Sequence, residues 1–228
     1  MRFSIQKDAI TPNIPVFQRG FAARTHKSEG VHDEPYASVV LIEANKTVAI
    51  IALDLAMGDR SFADGIKKAI YERFGLKEDE IIINYSHTHS TVAVTGEGRG
   101  KRSKDYSISA DGPSWKHDST DMDFTEDSKY YHFVKSKILD LLDMGFKNLM
   151  DGDAYIYKGM SKFGVSRRYP SESGTLWRPN FNEDCIDTDL YLIKLTDTNG
   201  NTRGLLYNYA CHPTTMSYNN YFISADYP

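Results

Sequence analysis

The sequence has few cysteines, no long apolar run and no excess of positive charge, and each absence excludes a class of protein. Its 228 residues include two cysteines, Cys185 and Cys211, which are too few for a disulfide framework. No segment approaches the roughly 18 apolar residues of a membrane span, and the amino terminus lacks the apolar core of a signal peptide. We therefore expect a cytoplasmic protein without a transmembrane segment. The net charge of −4 argues against nucleic-acid binding, which depends on clustered Lys and Arg.

What is present is typical of a globular domain that mixes strands and helices, with 40% hydrophobic and 25% charged residues. Val- and Ile-rich runs around short polar connections predict two hairpins, residues 37–43 with 47–55 and residues 189–195 with 203–210. Apolar residues at helical spacing predict helices over residues 61–74 and 130–149, the first capped by Ser61 and stopped by Gly75. A short strand over residues 154–157 is also expected. We expect α/β class, one domain over residues 1–228, with mixed β-sheets and flanking helices in a layered sandwich.

One long segment, residues 96–128, does not follow these periodic patterns. It is almost entirely polar and contains a Gly112-Pro113 turn among several acidic residues. A stretch of this length without periodicity is typical of a lid or of an exposed insertion.

The apolar run that begins at Ile81 ends in His87-Thr88-His89. On an extended strand, residues two apart point to the same side, so the two imidazoles are expected to converge. Imidazole is a preferred ligand of zinc, and two such ligands make half of a catalytic site. Two hydrogen-bonded histidines at the end of a buried strand explain the same pattern. The strand–helix–strand order predicts a parallel crossover, which places both histidines at the carboxyl end of a strand.

A second predicted strand is followed by a candidate functional residue, His212, and Pro213 comes directly after it. Arg167 is a candidate for binding a carboxylate or an oxyanion, and a surface ion pair is the alternative. Asp54 and Asp226 are candidates for carboxylates that receive an imidazole N–H, although each could equally cap a turn.

With both histidine segments identified, the chain resembles the amino-terminal catalytic domain of the neutral/alkaline (non-lysosomal) ceramidase family. The resemblance covers the chain from about residue 10 onward and rests on short motifs in the same order. These are Ile10-Thr11-Pro12, Gly20-Phe21 with Arg24, Gly30-Val31-His32-Asp33, Asp54-Leu55, Ser86-His87-Thr88-His89-Ser90, Val165-Ser166-Arg167, and Ala210-Cys211-His212-Pro213-Thr214-Thr215 followed by Ile223-Ser224-Ala225-Asp226.

The resemblance implies a zinc-dependent hydrolase of an N-acyl amide or ceramide-like lipid. By this comparison His87 and His212 bind the zinc ion, while His89 and Arg167 contact the substrate carbonyl or the attacking water. Thr91-Val92 stand where the family has Gly-Pro, which is a departure in the loop expected to shape the acyl pocket.

The family's other metal ligands, a Glu and a Tyr, would lie beyond Pro228. We therefore expect the chain to correspond to the first half of such a catalytic domain and to be nearly inactive alone. A non-catalytic domain with a vestigial half of a metal site is the alternative. An incomplete half would expose a sheet edge or an apolar patch, which makes self-association plausible.

Overall fold

The structure is a computed structural model that describes residues 1–96, 125–182 and 186–228. The strands and helices formed by these residues are, in chain order, β1 (Arg2–Ala9), β2 (Gly30–Val31), β3 (Tyr36–Glu43), β4 (Thr47–Leu53), β5 (Met57–Gly58), α1 (Arg60–Phe74), β6 (Ile81–Tyr85), β7 (Ala93–Val94), α2 (Thr125–Lys147), β8 (Met150–Met160), β9 (Ser166–Ser171), β10 (Gly174–Asn180), β11 (Asp189–Asp197), β12 (Thr202–Tyr209) and β13 (Phe222–Ile223). A single 3-10 turn, Glu78–Glu80, precedes β6.

A seven-stranded sheet in the order β12-β11-β8-β1-β3-β4-β6 forms the centre of the molecule. Its neighbouring strands are antiparallel except β4 and β6, which are parallel because α1 carries the chain back between them. The α/β class, the mixed sheet and the parallel crossover were all predicted, and the structure confirms them. The two predicted hairpins are also present, as β3 with β4 and as β11 with β12.

Both helices pack on one face of the sheet. This face carries alternate residues of the central strands, such as Val39, Leu41, Ile51 and Leu53, all of which are 0% exposed. Apolar stripes on the two helices bury these sheet residues. The stripes consist of Phe62, Ile66 and Ile70 on α1 and of Tyr131, Val134, Ile138 and Leu142 on α2. Burial of each such side chain stabilises the fold by roughly 1.5–3 kcal/mol before the entropic cost of ordering it.

The ends of α1 show how local sequence sets its length. Asp59, rather than the predicted Ser61, is the amino-terminal cap, because its side chain accepts a hydrogen bond from the N–H of Phe62 at 2.8 Å. Ser61 instead donates its hydroxyl to Asp59 at 2.7 Å. The helix ends at Gly75, as predicted, where φ is 74° and a residue without a Cβ is favoured.

Three parts of the fold differ from the sequence prediction. The expected short strand over residues 154–157 is part of the 11-residue strand β8. Strand β1 and the β9–β10 hairpin were not predicted, although β1 runs through the middle of the sheet and pairs with β3 over its whole length. Most of the proposed insertion, residues 97–124, lies outside the described residues, and residues 125–128 belong to α2.

Candidate functional site: a histidine cluster at the end of the sheet

Strand β6 carries the first histidine segment out of the sheet and ends before the histidines are reached. The N–H of Ser86 still bonds the carbonyl of Leu53 at 2.9 Å, so the chain leaves beside the end of β4. His87 then adopts a left-handed backbone with a φ of 64°, a region that histidine occupies only when its surroundings hold it there. The prediction that His87 and His89 share one side of an extended strand is therefore wrong. Their side chains converge through a turn.

The second histidine segment follows β12 and meets this turn directly. The N–H of His89 bonds the carbonyl of Pro213 at 3.3 Å, which joins the two segments at the residue after His212. Two short parallel pairs, β5 with β7 and β2 with β13, hold the chain on either side of the turn. The site is thus assembled from segments that are distant in sequence.

Three imidazoles meet at this junction. The rings of His87 and His212 are stacked, with centroids 5.0 Å apart and planes 12° from parallel. The ring of His89 stands across both and points Nε2 at Nε2 of His87, 3.4 Å away, and at Nε2 of His212, 2.6 Å away. The candidate ligand atoms of all three residues lie within 4.8 Å of one another. His87 and His212 lie together, as expected of two ligands of one metal ion, and His89 adds a third nitrogen. The expectation that the strands preceding them lie side by side, or nearly so, is wrong, because β6 and β12 are the two outermost strands of the sheet.

The hydrogen bond at the far side of His87 fixes which of its nitrogens can bind a ligand. Nδ1 of His87 lies 2.5 Å from the carbonyl oxygen of Ala56. A carbonyl can only accept, so Nδ1 carries the proton and Nε2 presents its lone pair to the cluster. Such a bond on the outer nitrogen is usual for metal-binding histidines.

The environment of His89 and of His212 favours their unprotonated form. Burial, followed by the neighbouring charges of His212, His87, Arg167 and Arg24, lowers the pKa of His89 to about 4. Burial also lowers the pKa of His212, together with Arg167 and His87, whereas Asp226 opposes the change. Unprotonated imidazole is the form that binds a metal ion.

The donor set fits a transition-metal ion such as zinc. Two zinc–nitrogen bonds of about 2.0–2.1 Å at a tetrahedral angle place their nitrogens roughly 3.3 Å apart. The Nε2 atoms of His87 and His89 are 3.4 Å apart, so by this distance His89 is itself a candidate ligand. The Nε2 atoms of His89 and His212 are 2.6 Å apart, a hydrogen-bond distance at which one of the two nitrogens carries the proton. No other group of three potential ligands was found among the described residues.

Arg167, the predicted oxyanion-binding residue, lies on β9 near the cluster. Its positive charge contributes to lowering the pKa of both His89 and His212. Its Cζ lies 5.6 Å from the ring centroid of Trp177, so the indole supports one face of the side chain.

The two predicted carboxylates hold the loops that carry the histidines rather than the rings themselves. Asp54 accepts a hydrogen bond from the N–H of Tyr36 at 2.9 Å, and burial raises its pKa. Asp226 accepts the hydroxyl of Thr215 at 2.7 Å and the N–H of Met216 at 3.0 Å. Among the described contacts neither carboxylate receives an imidazole N–H, so that part of the prediction is corrected. Asp54 instead joins the end of β4 to the start of β3, whereas Asp226 holds the segment after His212, which is the turn-holding alternative.

Sequence reasoning assigned no role to several residues that surround the cluster. Ala56 contributes only its carbonyl, which leaves no side-chain signal to detect. Gly20, Phe21 and Arg24 contact His89, and they were noted only as motif residues of a resembling family.

Comparison with known proteins places this geometry in a known fold. No protein-family model matches the chain. A neutral ceramidase from Pseudomonas aeruginosa is 20% identical with a TM-score of 0.71, and the match covers 98% of this chain and 34% of that one. A ceramidase complexed with C2 is 19% identical with a TM-score of 0.72, covering 98% and 33%.

None of the helices formed by the described residues has the length and apolarity needed to cross a membrane. The chain spans about a third of the length of the two ceramidase structures. At 19–20% identity, these matches show a shared fold. The resemblance inferred from the ordered motifs is confirmed at that level: the chain has the fold seen over about a third of two ceramidase structures, and its histidine cluster is formed within that fold.

Proposed function

We propose that the histidine cluster binds a zinc ion and that a protein containing this chain hydrolyses a linear N-acyl amide, with ceramide-like lipids as the substrate class. The observation that carries the proposal is the convergence of three imidazoles from two distant segments. The fold shared with two ceramidase structures supports the substrate class. Because the chain spans about a third of those structures, we assign it the histidine part of the site and do not assign it the whole activity.

The proposed roles of the residues are those that the resemblance to the ceramidase family implies, and the surroundings of each residue are compatible with them. His87 and His212, whose rings are stacked, supply two nitrogen ligands. His89 stands across them with Nε2 turned inward, where an unprotonated imidazole can contact a substrate carbonyl or take a proton from water. Arg167 provides a positive charge that acts on the same rings, suited to stabilising a developing oxyanion. A zinc ion bound there would polarise an amide carbonyl and acidify water.

The alternative proposed function is that of a non-catalytic domain whose histidines bind metal weakly or not at all. Titration of the chain with zinc, measured by calorimetry, distinguishes the two proposed functions. We expect one-to-one binding that is lost in His87→Ala and in His212→Ala. The matched control is His132→Ala on α2, which removes an imidazole outside the cluster. Wild-type protein that binds no zinc, or binds it equally well after both cluster substitutions, would contradict the proposal.

The role of His89 has its own test. If His89 contacts substrate, as proposed, His89→Ala keeps most of the zinc affinity while abolishing turnover of N-acyl amides in any active protein that contains the chain. Loss of zinc binding comparable to that of His87→Ala would make His89 a third ligand instead.

A further inference from the structure

The back of His89 is covered by residues 18–24, which we call the clamp loop. The edge of the Phe21 ring meets the imidazole with centroids 4.8 Å apart and planes at 77°. Gly20, with a φ of 106°, lies so close that a Cβ there would be 2.2 Å from Cγ of His89. Nδ1 of His89 is buried and has no hydrogen-bond partner among the described residues. On this outer side the His89 ring, unlike that of His87, is therefore held by packing and by its backbone rather than by a hydrogen bond to Nδ1.

Arg24 connects the clamp loop to that backbone. Its side chain is buried, with the residue 7% exposed, and its Nη1 donates to the carbonyl of His89 and, at 3.5 Å, to that of Arg19. Its Nε donates to the carbonyl of Asn220 at 3.1 Å. The planar guanidinium thus joins three segments of chain through backbone oxygens.

This arrangement is unusual for a buried charge. Within the described part of the chain Arg24 forms no ion pair with a carboxylate, and burial lowers its pKa. Taking a guanidinium out of water costs several kcal/mol unless its partners compensate. Two of its three nitrogens, Nε and Nη1, donate to backbone carbonyls, whereas Nη2 is buried without a hydrogen-bond partner among the described residues.

Gln18 repeats the same connection from the other end of the clamp loop. Its Nε2 donates to the carbonyl of Ser90 at 3.1 Å and to that of Phe222 at 2.9 Å. Two side chains of one loop therefore tie consecutive residues of the histidine turn to the segment after His212.

We propose that Arg24 is a positioning residue for His89: its buried guanidinium fixes the His89 carbonyl between Arg19 and Asn220, and the ring is thereby held with Nε2 facing His87 and His212. The inference rests on the proposed function in giving His89 a part in the site. The orientation itself exists in the metal-free chain, and it can be measured there.

The test is nuclear magnetic resonance of the histidine ring nitrogens in the metal-free chain, comparing wild type with Arg24→Met. We expect the His89 ring-nitrogen signals to shift more than those of His87 or His132, towards the averaged values of an imidazole that exchanges between its two tautomers, because the ring gains freedom to rotate. Arg73→Met is the matched control, since Arg73 pairs with Asp143 on the surface and its loss removes the same charge. Arg24→Lys keeps the charge without the fork and should restore the wild-type His89 shifts only in part.

The outcomes are decisive in either direction. Unchanged His89 signals in folded Arg24→Met or Arg24→Lys overturn the proposal, as does an equal change in Arg73→Met. If Arg24→Met does not fold, Arg24→Lys decides, and failure of both to fold assigns Arg24 to folding and also overturns the proposal. Zinc titration of the same samples is read separately. Wild type that binds no zinc contradicts the proposed function and leaves the His89 result valid.

Discussion

The two halves of the central sheet are covered very differently. One half, formed by β1, β3, β4 and β6, lies under α1 and α2, and residues such as Ile51 and Leu53 are 0% exposed. The other half, formed by β8, β11 and β12, leaves comparable side chains in solvent: Ile156 is 77% exposed and Leu205 is 57% exposed. We call these the covered half and the open half. An isoleucine stabilises the fold only where another layer removes it from water.

The candidate site is formed by segments from both halves, and the strands that precede its histidines, β6 and β12, are the two outermost strands of the sheet. His87 and His89 follow β6, the outermost strand of the covered half, whereas His212 follows β12 of the open half. Arg167 belongs to β9, in a hairpin whose Trp177 is 75% exposed. Two histidines are therefore anchored by a packed core, while their partner and the arginine depend on a less covered part of the molecule.

The difference between the two halves can be tested by making the same substitution in each of them. Ile51→Ala removes a fully buried side chain and should reduce the free energy of unfolding by about 2–5 kcal/mol through lost burial and a residual cavity. Ile156→Ala removes the same atoms from a 77% exposed position and should change it by less than about 0.5 kcal/mol. Urea denaturation measures both, and equal effects would mean that Ile156 is covered in solution.

The open half also predicts association between copies. Apolar residues on β8 and β12 form an exposed surface, and the outer edge of β12 has no strand beside it among the described residues. We expect the apparent mass in light scattering to rise with concentration, and Ile156→Lys to reverse the rise. Ile82→Lys, at a 52% exposed site on the other edge of the sheet, is the control and should change it less. A concentration-independent monomer would show that the open half does not self-associate.

A smaller effect on stability is expected in the covered half, at the amino-terminal end of α1. Asp59→Ala removes the cap of α1 and should cost about 1 kcal/mol of stability, while Asp59→Asn keeps an acceptor and should cost less. Thermal unfolding of the two variants compares them directly. Equal losses would indicate that charge, rather than the hydrogen bond to Phe62, is what Asp59 supplies.

Much of the covered half could be predicted because its sequence signals are local. The spacing of Phe62, Ile66 and Ile70 is helical, and Gly75 marks the stop. The Val- and Ile-rich strands β3 and β4 are joined by a short polar connection, which is a hairpin signal. Strand β1 was missed even though Phe3 and Ile5 alternate with polar residues, because it is made central only by pairing with β3, which begins 27 residues after β1 ends.

The candidate site could be predicted in its residues but not in its geometry. His87 and His212 each end a recognisable apolar run, so the pattern identified them. The left-handed backbone of His87 arises from bonds to the neighbouring strand, and its imidazole bonds the backbone of Ala56, neither of which has a side-chain signature. Nor could the sequence show that Arg24 is buried against carbonyls, since arginine is ordinarily exposed.

The most direct test of the central claim is zinc-edge anomalous diffraction from crystals grown with zinc. We predict one strong peak at the histidine cluster, within about 2.0–2.1 Å of a nitrogen of His87 and a nitrogen of His212, and no peak there in His212→Ala. A zinc ion bound elsewhere, or a cluster that stays empty at saturating zinc, would contradict the assignment of these histidines as a metal site.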